Sequence, residues 1–214
     1  CQFLTLTCSS KNVKYVHMIK IINRYRFSKE VFTIVFSSYC ICFLFVELLI
    51  SPLQLLAGLP QPSYASLMYL PHGIRVLSVW LYKEKAVIPL FCSHLFIYVV
   101  FWLEGLTVAE NIAMVLVGTL CAPWAFLFVG WIGFDLSVRN SKIMHWRSIL
   151  LVGFLASIIN SLGNSFILSP HIEPSLHLLT ASTYLIGDTL GVFILLLILL
   201  FGFRLARKIS VFHT

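Results

Sequence analysis

Six long apolar stretches alternate with short polar ones along this chain, at roughly 31–52, 65–82, 86–103, 109–135, 148–168 and 178–203. Each is close to or above the about 20 helical residues that cross a hydrocarbon core. The runs are continuous rather than alternating, and a strand of a membrane barrel needs only about 10 residues, so the pattern argues against a barrel. Helices satisfy their own backbone groups in lipid. The pattern predicts an all-α integral membrane protein built as a six-transmembrane-helix bundle.

Two of the runs are punctuated. In "YASLMYLPHGIRVLSVWLYKEK" Pro71 removes a backbone donor and Gly73 loosens the chain, so the second helix is expected to begin or break at Pro71-His72-Gly73, and irregular backbone at that depth belongs beside a cavity. In the fourth run Pro123 predicts a kink, while Gly118, Gly130 and Gly133 allow neighbouring helices to approach closely.

Charge adds an orientation. The chain carries a formal net charge of +7, which by itself would suit a nucleic-acid partner, but its placement does not. Lys11, Lys14, Lys20, Arg24, Arg26 and Lys29 precede the first run; Lys83 and Lys85 follow the second; Arg139, Lys142 and Arg147 follow the fourth; Arg204, Arg207 and Lys208 close the sixth. The alternate connections, 53–64, 104–108 and 169–177, hold no Lys or Arg. The positive-inside rule then places both termini in the cytoplasm, N-in and C-in. The chain divides into a basic cytoplasmic segment, 1–30, a six-span membrane domain, 31–208, and a short cytoplasmic tail, 209–214. The basic segment leads into a full-length span without a small-residue cleavage site and is expected to stay as an anchor. Met18 opens "MIKIINRYRFSKE", a normal basic cytoplasmic start, so residues 1–17 read either as upstream sequence or as the remnant of a longer chain, and no function is assigned to them. Of the six cysteines, Cys40, Cys42, Cys92 and Cys121 fall within spans and read as small core hydrophobes, with no disulfide framework.

The informative residues are polar groups inside the apolar runs, because an ionised side chain at the bilayer centre costs about 2.5–3.5 kcal/mol or more. Counting from the basic ends at 1.5 Å per residue, Glu47, Asn160, Asn164 and Asp188 lie about 20–27 Å from the cytoplasmic face, His72 about 16 Å and Arg75 about 12 Å. Asn160 and Asn164 share one helix face. Asp188 and Arg75 are natural opposite charges, expected to pair directly in a polar pocket open toward the outside. These six residues form the candidate ligand-binding set, and because Arg75, His72 and the asparagines supply donors, the expected ligand is small and at least partly anionic. Glu47 also reads as a solvated boundary residue. His94 reads as an interhelical contact rather than a metal ligand, and Asp135 as an interfacial partner of Arg139. No metal set, cofactor motif or catalytic constellation occurs: neither His-Glu-x-x-His, nor Gly-x-Ser-x-Gly, nor a phosphate loop. A non-enzymatic membrane protein is expected.

Two segments resemble a known family. "YLPHGIRVLSVWLYKEKAVIPLF" (69–91) is similar to the early motif of bacterial membrane-associated sensor (MASE) domains of the first type, in which a Pro and a Gly open a span that ends in a basic turn. "YLIGDTLGVFILLLILLF" (184–201) resembles that family's closing Gly-Asp motif, with Gly187 and Asp188 as the pair, Gly191 as the following glycine, and Pro71 and Gly73 as the early break. The resemblance covers about residues 64–203. It implies an input module of a bacterial inner-membrane sensor, of the kind joined to histidine kinase or cyclic-dinucleotide domains. Only "ISVFHT" follows Lys208, and the spans are fewer than the family's, so such a signal would leave through a partner protein. Six helices with an outward pocket are also similar to the substrate-binding subunits of energy-coupling-factor transporters, which need an ATPase partner, and a purely structural membrane subunit would need no pocket.

Overall fold

In a computed structural model of the protein, the residues described are 29–58, 66–101, 106–133 and 146–212, with side chains to 208. Among them no strand occurs and six helices carry the chain. α1 covers Lys29–Leu56. α2 is Leu70–Tyr82, α3 Val87–Val100, α4 Val108–Trp131, α5 Trp146–Leu168 and α6 His177–Phe212. Asp135 and Arg139 lie outside the described residues, as does the segment 1–28.

All six apolar runs are helical, but unequally. α1, α4, α5 with its terminal 3₁₀ turn, and α6 are long and apolar enough to cross a membrane. α2 has 13 residues and α3 has 14, a rise of about 20 Å each against a core of about 30 Å. Their ends have local causes. Pro71 occupies the first turn of α2, where its missing N–H has no partner to lose, so residues 66–69 enter as irregular chain. At the other end Lys83 has φ of 53°, a left-handed conformation that stops the helix before a 3₁₀ turn, Lys83–Ala86. α1 contains a π turn, Val46–Ile50, in which the Ser51 N–H reaches back to the Val46 carbonyl; Pro52 just beyond it has no N–H to continue the regular ladder. α4 starts on a capping box, with Thr107 Oγ1 accepting from the Glu110 N–H and Glu110 Oε2 accepting from the Thr107 N–H at 2.7 Å. It stays one helix through Pro123.

The shortest helix is the central one. α2 packs against α1, α4, α5 and α6, while α3 bridges α1 to α4 and α5 lies between α4 and α6. Contacts give the directions. Tyr39 meets Arg75 and Gln54 meets Leu67, so α1 and α2 are antiparallel. Phe36 meets Phe96 and Phe43 meets Phe101, so α1 and α3 are parallel. Gly163 faces Val117, and Gly153 faces Val192, so α5 runs against both α4 and α6. The helices alternate up and down. Lys29, Lys83, Lys85, Arg147, Arg204, Arg207 and Lys208 therefore gather at one end of the bundle, and Gln54, Glu110, His171 and Glu173 at the other.

Along the helices several polar side chains turn into the bundle while large apolar ones face out. His72, Arg75, Asn160, Asn164 and Asp188 are buried, whereas Leu56, Trp131, Phe166 and Leu178 each exceed 80% exposure. That inversion suits a lipid-facing outside and matches a membrane protein. Of the three α4 glycines expected to permit close approach, only Gly118 does so, against His94 and Arg75; Gly130 and Gly133 meet nothing within 4 Å.

Candidate functional site

α2 enters the bundle along a seat made by two glycines of α6. A Cβ on Gly187 would stand 1.9 Å from the Ser66 carbonyl oxygen, and one on Gly191 would stand 2.1 Å from that of Tyr69. Only hydrogen in place of a side chain lets residues 66–70 lie there. The Tyr69 N–H donates to the Gly187 carbonyl at 3.0 Å. Buried Gln54 of α1 holds the same segment from the other side, its Oε1 accepting from Ser66 Oγ and the Leu67 N–H. Gly73, one turn on, brings α2 against Leu195 and the Gly191 carbonyl. The Pro71, Gly73, Gly187 and Gly191 positions thus fix where α2 lies and carry no chemistry of their own.

That seating puts His72 and Arg75, three residues apart on one face of α2, at the centre of a buried polar cluster. His72 is 0% exposed, Arg75 4% and Asp188 1%. Asn160 Nδ2 donates to Asp188 Oδ2 at 2.5 Å, and Asn164 Nδ2 donates to Asn160 Oδ1 at 3.1 Å. His72 Nδ1 is 3.4 Å from Asp188 Oδ2 and 3.4 Å from Arg75 Nη1. His72 Nε2 faces the Gly153 carbonyl at 3.3 Å, which Ser157 Oγ also contacts at 2.8 Å. Arg75 Nη2 donates to the Tyr39 hydroxyl at 3.1 Å. Tyr39 in turn bonds Tyr69 and, at 2.8 Å, His94 Nε2, whose Nδ1 donates to the Leu90 carbonyl at 2.7 Å. The guanidinium lies over both tyrosine rings, 5.7 and 5.3 Å from their centroids, and Cys121 flanks it from α4.

The expected direct Arg75–Asp188 pair is replaced by a relay. No ion pair joins them; His72, one turn before Arg75, stands between the two charges. Among the described residues Arg75 therefore has no carboxylate at salt-bridge distance, and its Nε has no hydrogen-bond partner. At the far end of the network Asn164 Oδ1 is buried without a donor. The cluster leaves one donor and one acceptor unused, each a group that is costly to bury unpaired.

Five of the six residues expected in the site come together: His72, Arg75, Asn160, Asn164 and Asp188. Glu47 does not; it sits exposed on the π turn of α1. The outward opening expected for the pocket is absent in this conformation, since all five are buried. His94 is an interhelical contact, as expected. Sequence reasoning missed Tyr39, Tyr69 and Gln54. Tyr39 offered a signal, a tyrosine well inside an apolar run instead of at the interfacial belt where tyrosines concentrate.

Comparison with protein-family models, with curated proteins and with solved structures finds no match to this chain. The class it can be assigned is therefore the one its fold and site define: a protein that is all-helical among the described residues, with four helices long and apolar enough to span a membrane and a buried ionisable cluster around a short central helix.

Proposed function

We propose that this protein is a six-pass protein of the bacterial inner membrane, with both termini cytoplasmic, that binds a small anion at Arg75 and passes the occupancy of that site to a partner protein. The observation that carries the reading is the guanidinium itself. A cation buried among α1, α2, α3 and α4, with no carboxylate of the described residues at ion-pair distance and with Nε unused, is costly unless something anionic completes it. The aromatic walls of Tyr39 and Tyr69 shape such a site for a compact ligand, since a planar guanidinium presents paired donors that match a carboxylate or phosphate.

Two features support six passes despite the short α2 and α3. The helices alternate in direction, and every described Lys and Arg except Arg75 gathers at one end, as the positive-inside rule requires. A sensing role is supported by α6, a continuous helix of 36 residues that carries Asp188 into the cluster and continues to Phe212. Any shift of Asp188 on ligand binding would move a rigid rod whose far end bears Arg204, Arg207 and Lys208.

The test is thermal unfolding of detergent-solubilised protein against small carboxylates, inorganic phosphate and vitamins. A ligand at 100 times its dissociation constant should add about 2.7 kcal/mol, and Arg75→Gln should abolish the gain. Copurification then separates roles. A kinase or cyclase partner fits sensing, an ATPase module fits a transporter subunit, and a stable complex with no stabilising ligand leaves a structural subunit.

A further inference from the structure

His72 is wired so that it can serve Arg75 or Asp188, but not both. Its Nε2 faces a backbone carbonyl, an acceptor only, so the ring proton belongs on Nε2. Ser157 does not compete, because its own hydroxyl proton goes to the same carbonyl at 2.8 Å. Nδ1 is then a bare lone pair. It accepts from Arg75 Nη1 at 3.4 Å and at the same time faces the Asp188 carboxylate oxygen at 3.4 Å, lone pair toward negative charge. One added proton on Nδ1, or shared with Asp188, reverses both relations: the imidazole now donates to Asp188 and no longer accepts from Arg75.

We infer that the site takes up an anion together with one proton, the proton residing on the His72–Asp188 pair. The inference rests on the anion-binding reading and specifies its chemistry. Without the proton the cluster sums to zero, Arg75 against Asp188 with His72 neutral. A monovalent anion would leave a net negative charge in a low-dielectric interior. With the proton the cluster carries one positive charge, and the anion neutralises it. The proton also turns Nδ1 from an acceptor of Arg75 into a donor to Asp188, which leaves Nη1 as well as Nε without an acceptor and strengthens the guanidinium's demand for an anion.

The other ionisable groups facing His72 and Arg75 do not compete for this proton. Tyr39 on α1, Tyr69 before α2 and Cys121 on α4 are acids that hold their protons at neutral pH. His94 on α3 already donates from Nδ1 to Leu90 and accepts at Nε2 from Tyr39, so a second proton would break the Tyr39 bond. α5 presents Asn160, Ser157 and the Gly153 carbonyl there, none of them titratable.

The experiment is calorimetric titration of the full chain in detergent with methanesulfonate, acetate and inorganic phosphate across about pH 5.5–8.5, in buffers of different ionisation heat. Methanesulfonate is decisive because it does not titrate in that range. Its affinity should rise as pH falls through the titration of the pair, by up to about tenfold per pH unit, with one proton drawn from the buffer per anion. His72→Gln can bond both neighbours but holds no extra proton, and its affinity should be flat with pH. Should that variant fail to fold, ¹⁵N-histidine NMR of the unmodified protein gives the same answer: methanesulfonate should convert His72 from the Nε2–H form to the doubly protonated form. Binding without a pH slope or proton uptake overturns the coupling while leaving the anion site intact. No binding by any of the three probes overturns the anion site, and the coupling with it.

Discussion

At the scale of single residues, the cluster behaves as one electrostatic unit in which His72 transmits what Arg75 and Asp188 would otherwise exchange directly. Asp188→Asn removes the carboxylate that balances a buried guanidinium and should cost about 3–5 kcal/mol, and Arg75→Met should cost a similar amount by stranding the carboxylate. The double variant should lose less than the sum, with a coupling of about 0.5–3 kcal/mol by chemical unfolding in micelles. Strictly additive losses would show that the two charges do not feel each other across the imidazole. Glu47→Gln, on an exposed π turn, should shift stability by no more than about 0.5 kcal/mol. The membership of this unit was largely legible in the sequence, because Asp188, Arg75, His72 and the asparagines are groups that apolar helices rarely tolerate. Its wiring was not. Opposite charge suggested a direct pair, but the three-residue offset on α2 puts His72 ahead of Arg75 on the path to α6, and a depth count along each helix carries no information about azimuth. Tyr39 gave only a weak signal, its depth inside an apolar run, because a tyrosine in a span is far less costly than a charge.

At the scale of elements, the seat for α2 is the most constrained part of the fold. Gly187 and Gly191 lie one turn apart on α6, and the backbone of residues 66–70 fills the space their missing side chains leave. Gly191→Ala would push a methyl group to 2.1 Å from the Tyr69 carbonyl oxygen, a clash with backbone that no rotamer change relieves. The segment must lift, taking Tyr69 off the guanidinium and straining its N–H bond to Gly187. We expect a loss of more than about 2 kcal/mol in unfolding, together with loss of the anion-dependent stabilisation. Gly202→Ala on the same helix meets nothing within 4 Å and should be neutral or stabilising by up to about 1 kcal/mol. Equal effects of the two substitutions in a thermal scan would mean that helix propensity, not the seat, decides. The sequence singled out the early Pro-x-Gly and the late Gly-Asp-x-x-Gly segments separately, as motifs. That they touch is tertiary information, and hydrophobic periodicity could not supply it.

At the scale of the whole molecule, six passes would require a central helix of only 13 residues to cross the membrane. α2 alone rises about 20 Å. The irregular residues 66–69 that precede it bend at Leu67 and Met68 and follow α6 from Gly187 to Gly191, which adds about 6 Å, so the segment from Ser66 to Tyr82 reaches about 26 Å, a few ångströms short of a core of about 30 Å. Irregular backbone is tolerated at such depth only where protein surrounds it, and here Gln54 and the α6 glycines do so. The apolar runs announced the number of helices; they overstated the length of α2 and α3, because the residues flanking Pro71 and Lys83 are apolar or polar without reporting whether the chain there is helical. Six passes then make a prediction that four passes with a re-entrant α2–α3 hairpin do not. In a background lacking the native cysteines, single cysteines at Lys83 and Arg204 should react with an impermeant maleimide only in inside-out vesicles, and a cysteine at Glu173 only in right-side-out ones. A hairpin dipping in from the outer side would leave Lys83 buried or reactive with the opposite sidedness to Arg204. The lysines at Lys83 and Lys85 favour the first outcome, since two ammonium groups at the tip of a half-buried loop would each cost about 2.5–3.5 kcal/mol or more near the bilayer centre, whereas at the cytoplasmic surface they meet water and anionic headgroups.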